Sequence, residues 1–224
     1  HRRRDVDGDG FAQTEVRRRF VEGGGRLDSR ELTTHRVVAG LRGEAFDNLE
    51  WDLFAQHAET GLQRLQTNQV TFENMTAALD IVTGPSGNLV CRSALNGSNP
   101  DCVPFVTAYD PNGTNPQGLA EFIDTPTLTT GTTKQTVFGG TAQSNLEDYG
   151  IISPWAEIGV NALVGFEYRK DQLFTQADGT AQGGGLVGAG AALLPSDGQT
   201  EVTEAFVEAN VPLIQGMSGI EDLS

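Results

Sequence analysis

The chain has only two cysteines, and no histidine lies near them. That pair cannot assemble a four-ligand zinc centre by itself. No run of 18 apolar residues occurs, which excludes a membrane-spanning helix. Basic residues are scarce beside acidic ones, 15 against 30, and the net charge of -15 argues against a nucleic-acid binder. Catalytic signatures are also missing: no Walker A lysine pattern, HExxH or GxSxG occurs, and no Ser, His and acid are spaced as a triad. Gly183-Gly184-Gly185-Leu186-Val187-Gly188 fits GxGxxG literally, but DGTAQ precedes it and AGAALLPSDG follows. A dinucleotide site needs a buried strand before the motif and a helix directly after it, so a flexible loop is the better reading. Glu204 and Glu208 lie about 13 Å apart if they sit on one strand, too far for either geometry of a glycosidase pair. Nothing in the sequence supports an enzyme.

The residues that are present point elsewhere. Apolar residues make up 38% of the chain and mean hydropathy is -0.29, which does not suggest a helix-rich core. Nine of the fifteen basic residues fall within the first 36 positions, as two RRR clusters plus Arg26, Arg30 and Arg36. Both clusters sit beside acids and read as solvated faces. Near them, Asp5-Val6-Asp7-Gly8-Asp9-Gly10 places carboxylates and a glycine as an EF-hand loop does at its positions 1, 3, 5 and 6. Position 12, which needs a bidentate Glu, is Val16, and no amphipathic helix leads in. An acidic Asp/Gly turn is therefore expected, with Asp5, Asp7 and Asp9 as candidate ligands for a structural calcium held by a surface loop. The cysteines flank ten residues rich in Asn, Ser, Gly and Pro. They suit either a Cys91–Cys102 bridge in an oxidising compartment or two free thiols in a cytosolic chain; the bridge is the expectation.

The clearest regularity has period two. Val160, Ala162, Val164, Phe166 and Tyr168 share one side of a strand, against Asn161, Gly165, Glu167 and Arg169. Thr203, Ala205, Val207, Ala209, Val211 and Leu213 oppose Glu204, Glu208 and Asn210; His35, Val37, Ala39 and Leu41 oppose Arg36, Gly40 and Arg42. TKQTVFGGTAQSNL and LEWDLFAQHAETGLQRLQ alternate more weakly, and the latter also fits a helix. Each stretch is long enough for a tilted strand to cross a bilayer. Short connections, EAFDNLE, EDYGIISPW and IQGMSGIED, alternate with long polar intervals at 68–133 and 177–199. That rhythm suits an outer-membrane barrel and counts against a compact soluble domain. Within the first interval, FENMTAALDIV and NPQGLAEFIDT each read as a short helix, the second with Asn115 as N-cap and Pro116 at its first position.

Taken in order, RRRFVEGGGRLDSRELTTHRVVAGLRG, LEWDLFAQHAETG, ALDIVTGPSGNLVCRSALNGSNPDCVPF, SPWAEIGVNALVGFEYRKD and EVTEAFVEANVPLI resemble successive pieces of the barrel of a TonB-dependent outer-membrane receptor. The likeness runs from about residue 15 to residue 224; VCRS…CVP is similar to the disulfide-bearing extracellular loop and GFEYR to a barrel strand. The resemblance implies an all-β, antiparallel transmembrane barrel segment of five or six long strands. Long extracellular loops at 68–133 and 177–199 would contain the short helices. It implies a bacterial outer-membrane location and import of a scarce ligand such as a siderophore–iron complex, cobalamin or a saccharide. Its partners would be outer-membrane lipid, the ligand, and the TonB–ExbB–ExbD complex acting through a plug. The chain has no plug, no TonB box and too few strands to close such a barrel, so it reads as an internal fragment or truncated product. Glu167, Arg169, Glu204 and Glu208 become candidates for lumen-facing contacts to plug or substrate, with structural ion pairing as the competing role. A soluble extracellular β-sandwich or adhesin-like module, with or without calcium, is the other reading.

Overall fold

The computed structural model describes residues 20, 23–46, 48–107, 114–189, 191–217 and 219–224. In chain order the elements are β1 (Leu27–Ala45), β2 (Leu49–Thr67), α1 (Phe72–Leu79), β3 (Ile81–Thr83), β4 (Leu89–Cys91), α2 (Arg92–Leu95) and α3 (Leu119–Ile123). There follow β5 (Thr127–Asn145), a 3-10 turn (Glu147–Tyr149), β6 (Asn161–Ala177), α4 (Gly179–Gln182), β7 (Ser196–Asn210), β8 (Ile214–Met217) and β9 (Ile220–Leu223). Five long strands make one antiparallel sheet in the order β1-β2-β5-β6-β7, while β3–β4 and β8–β9 are separate two-stranded ladders. The fold class expected from the alternation therefore holds at this level. None of the described helices is long and apolar enough to cross a membrane.

Several local expectations change. LEWDLFAQHAETGLQRLQ is strand throughout, within β2. IQGMSGIED is not a plain turn but the β8–β9 hairpin. The helix in NPQGLAEFIDT begins only at Leu119, after Gly118 in the left-handed region at φ 90. Asn115 is unavailable as its cap because its side chain accepts from Thr107 N and donates to Thr107 O, both at 3.0 Å. The long intervals are shorter than the sequence suggests, since β5 already begins at Thr127 and β7 at Ser196.

Contacts divide the chain into two compact units, one of residues 1–30, 64–129 and 177–194 and one of residues 31–63, 130–176 and 195–224. The first has a small core of Val70, Ala78, Phe105, Leu119 and Ile123, with Phe20, Met75 and Phe122 packed against it. Local capping explains why its short helices form. Thr71 accepts from Asn74 N at the start of α1, and Asp178 accepts from Ala181 N at the start of α4. Backbone bonds tie the two intervals together: Phe72 N donates to Gly185 O at 2.8 Å and Val187 N to Val70 O at 2.7 Å. GGGLVG is thus a bonded turn with Leu186 buried, and no helix follows it. The expected disulfide is present: Cys91, fully buried, is bonded to Cys102.

The second unit is the body of the sheet. A strand of 19 residues spans roughly 60 Å, far beyond the usual globular strand. Seven threonines carry β5, where β-branching favours extended backbone and the hydroxyl is tolerated on either side. β6 and β7 pair from Asn161↔Asn210 to Thr175↔Ser196. Because side chains alternate, that register and the cross-strand contacts assign every long-strand residue to one of two faces.

Candidate functional site

One face of the sheet carries an apolar band. Ala162, Val164, Phe166 and Tyr168 of β6 lie opposite Ala209, Val207, Ala205 and Thr203 of β7. Phe138 of β5 stacks on Tyr168 with ring centroids 6.4 Å apart. Leu53 and Phe166 close over Gly140 from either side, and Trp51 covers Gly43, which brings β2 and β1 onto the same face. Val37, Ala39 and Leu41 of β1 complete the band. Its members are uncovered: Val37 and Leu41 are each 70% exposed and Val207 is 74% exposed. The seven residues from Ala39 to Ala45 span about 20 Å along the strand.

Toward the long-loop ends of the strands the band stops at a polar border. Lys170 pairs with Glu201 at 2.8 Å, Lys134 with Glu59 at 3.2 Å, and His57 Nδ1 bonds Thr136 Oγ1 at 2.9 Å. His35 falls on the same face by parity. Aromatic rings mark both margins, Phe138 and Tyr168 next to this border and Trp51 near the short-turn end.

The opposite face is polar and more tightly networked than the sequence suggests. Arg36 Nη2 donates to Gln56 Oε1 at 2.5 Å, Gln56 Nε2 to Gln135 Oε1 at 2.9 Å, and Gln135 Nε2 to Asp171 Oδ1 at 2.9 Å. This relay crosses β1, β2, β5 and β6. Arg169 extends it, lying 3.6 Å from Asp171 and 3.8 Å from Glu167. Of the residues singled out by sequence, Glu167, Arg169, Glu204 and Glu208 all share this face. Glu167 and Glu204 are directly paired across β6 and β7, whereas Glu208 faces Leu163, four residues further along β7. Like charges directly opposite repel, and Arg169 beside Glu167 offsets that. Gln56 and Gln135 carried no sequence signal, because amides in weakly alternating strands look like ordinary surface; alternation placed Arg36 on its side of β1 without joining it to them.

In the first unit, Asp28 accepts from Arg64 Nε at 2.9 Å and from Arg30 Nε at 3.1 Å. Hydrogen bonds from Arg64 first, then Arg30, hold its carboxyl well below the usual carboxylate range, and Asp28 raises Arg64 in turn. Among the described residues no group of three or more His, Cys, Asp or Glu is placed to hold a metal ion. Asp5, Asp7 and Asp9 lie outside the described residues. No protein-family model, curated protein or solved structure matches this chain.

Proposed function

We propose that the sheet is part of the wall of an outer-membrane transport barrel of the TonB-dependent kind. The banded face would lie against lipid and the polar face toward the lumen. The observation that supports this reading is the band itself. It is apolar across all five strands, uncovered, and bordered on the long-loop side by rings and then by charge. An uncovered apolar area of this extent is unusual in a protein surrounded by water. A soluble sandwich would need a second sheet against it, and the other ladders among the described residues are only three and four residues long. Glycines within the strands, Gly139, Gly140 and Gly165, also suit a wall that must curve.

On this reading β1 and β7 pair with further strands, since an open edge cannot remain unsatisfied in hydrocarbon. Ligand would be captured by the disulfide-bonded loop that connects β2 and β5. The TonB–ExbB–ExbD complex would then pull on a plug to open a path along the polar face, where Glu167, Arg169, Glu204 and Glu208 would contact plug or solute. Detergent partition of the chain, expressed with an outer-membrane leader and together with the strands that this reading pairs with β1 and β7, tests the reading. The chain is expected in the detergent phase and the outer-membrane fraction. A monomer that stays in the aqueous phase without detergent would favour the soluble binding module instead.

A further inference from the structure

On the polar face, β2, β5, β6 and β7 line an open trough of about 640 Å³, within the volume range of small-molecule sites. Thr60, Thr133, Gln135, Asp171 and Thr200 present polar groups to it, while Leu173 and the threonine methyls supply apolar surface. Gln135 is fixed at both ends of its amide, accepting from Gln56 and donating to Asp171. The Asp171 charge is answered by Arg169, and the nearby Lys134 is engaged with Glu59 on the other face. Arg169 is shared between Asp171 and Glu167, so the lining carries one carboxylate on this face, already bonded by Gln135, and no cation there to select an anion. The hydroxyls of Thr133 and Thr200 make no hydrogen bond among the described residues and can both donate and accept.

Gly198 is one of the residues that line the trough. It lies opposite Leu173 in the β6–β7 register. A Cβ added there would meet nothing within 4 Å, and its backbone is not in the left-handed region. Neither packing nor conformation requires glycine, and glycine weakens a strand. A side chain there would project beside Leu173 into the trough.

We infer that this trough is a subsite for a neutral, polyhydroxylated solute, a saccharide. Threonine hydroxyls and the oriented Gln135 amide match vicinal hydroxyls, and Leu173 matches the C–H surface of a sugar ring. The inference deepens the transport reading by naming a class of solute, and rests on it only for the trough's facing the lumen.

Calorimetric titration in detergent micelles of the chain, together with the strands that pair with β1 and β7, tests it. The probes are neutral trisaccharides of glucose, galactose and mannose, with citrate and spermidine as the anionic and cationic arms. Saturable binding of at least one neutral trisaccharide, and none of citrate or spermidine, is expected. Gly198→Val should lower that affinity about tenfold or more without lowering the thermal midpoint, and Thr200→Val should lower it about tenfold through a lost hydrogen bond. The inference is overturned if no neutral trisaccharide binds, if either ion binds more tightly, or if Gly198→Val keeps the original affinity. A chain that binds sugar yet stays in water without detergent would defeat the barrel reading and leave the trough standing. Detergent partition without sugar binding would do the reverse.

Discussion

At Gly165 the absent side chain explains a contact that the sequence hides. The Phe206 ring from the paired position on β7 lies across it, and a Cβ on Gly139 would sit 2.5 Å from the Phe54 ring. These rings cover bare backbone on the polar face, so each glycine is fixed by its neighbour rather than by a turn. Gly165→Val is expected to destabilise by about 1–3 kcal/mol despite valine's better strand propensity, because the ring must leave its position. Chemical denaturation should show the loss, and Gly165→Val with Phe206→Ala should recover part of it. Asp28 sets a second expectation at this scale. Its folded-state pKa is depressed, so its contribution is present above the unfolded value of about 4 and fades as pH falls below that value. The cluster is solvent-exposed and its effect correspondingly small. In Asp28→Asn the loss of stability on acidification below about pH 4 should be shallower than in the parent chain, measured by denaturant titration across that range.

Among the elements, legibility followed how many apolar residues each strand keeps to one side. β6 and β7 could be read directly, since Ala162 to Tyr168 and Thr203 to Ala209 alternate cleanly and turn out to face each other. β2 was ambiguous because Phe54, Ala58 and Leu62 are apolar on the polar face, which blurs period two into something helical. β5 was blurred by threonine, which suits either environment and so marks neither. The relay from Arg36 through Gln56 and Gln135 to Asp171 depends on register between strands far apart in sequence, and one-residue shifts would abolish it. Alternation within a single strand holds no such information. Asn115 failed as a cap for a similar reason: a partner eight residues back, Thr107, outcompetes the local helix end. The Cys91–Cys102 bridge could be anticipated because only one pairing exists within the chain.

For the molecule as a whole, the two readings differ in what surrounds the banded face, and substitution down one strand separates them. Gln199, Thr203 and Val207 all lie on that face of β7, at the charged border, beside the aromatic margin and within the apolar band respectively. Val207 is 74% exposed, so a lysine there meets no protein obstacle and its cost reports only on the surrounding medium. In lipid, Val207→Lys should cost about 2–4 kcal/mol, Thr203→Lys less, and Gln199→Lys about 0–1 kcal/mol, following depth in the bilayer. In water the three should stay within about 0.5 kcal/mol of the parent chain, as surface changes usually do. Glu208→Lys, on the polar face at nearly the height of Val207, serves as the control, because a lumen-facing lysine escapes the hydrocarbon. Equilibrium unfolding of the four variants in lipid vesicles measures the series. A gradient from Gln199 to Val207 with Glu208→Lys near the parent value is expected of a barrel wall, whereas a flat series would show that no bilayer meets this face.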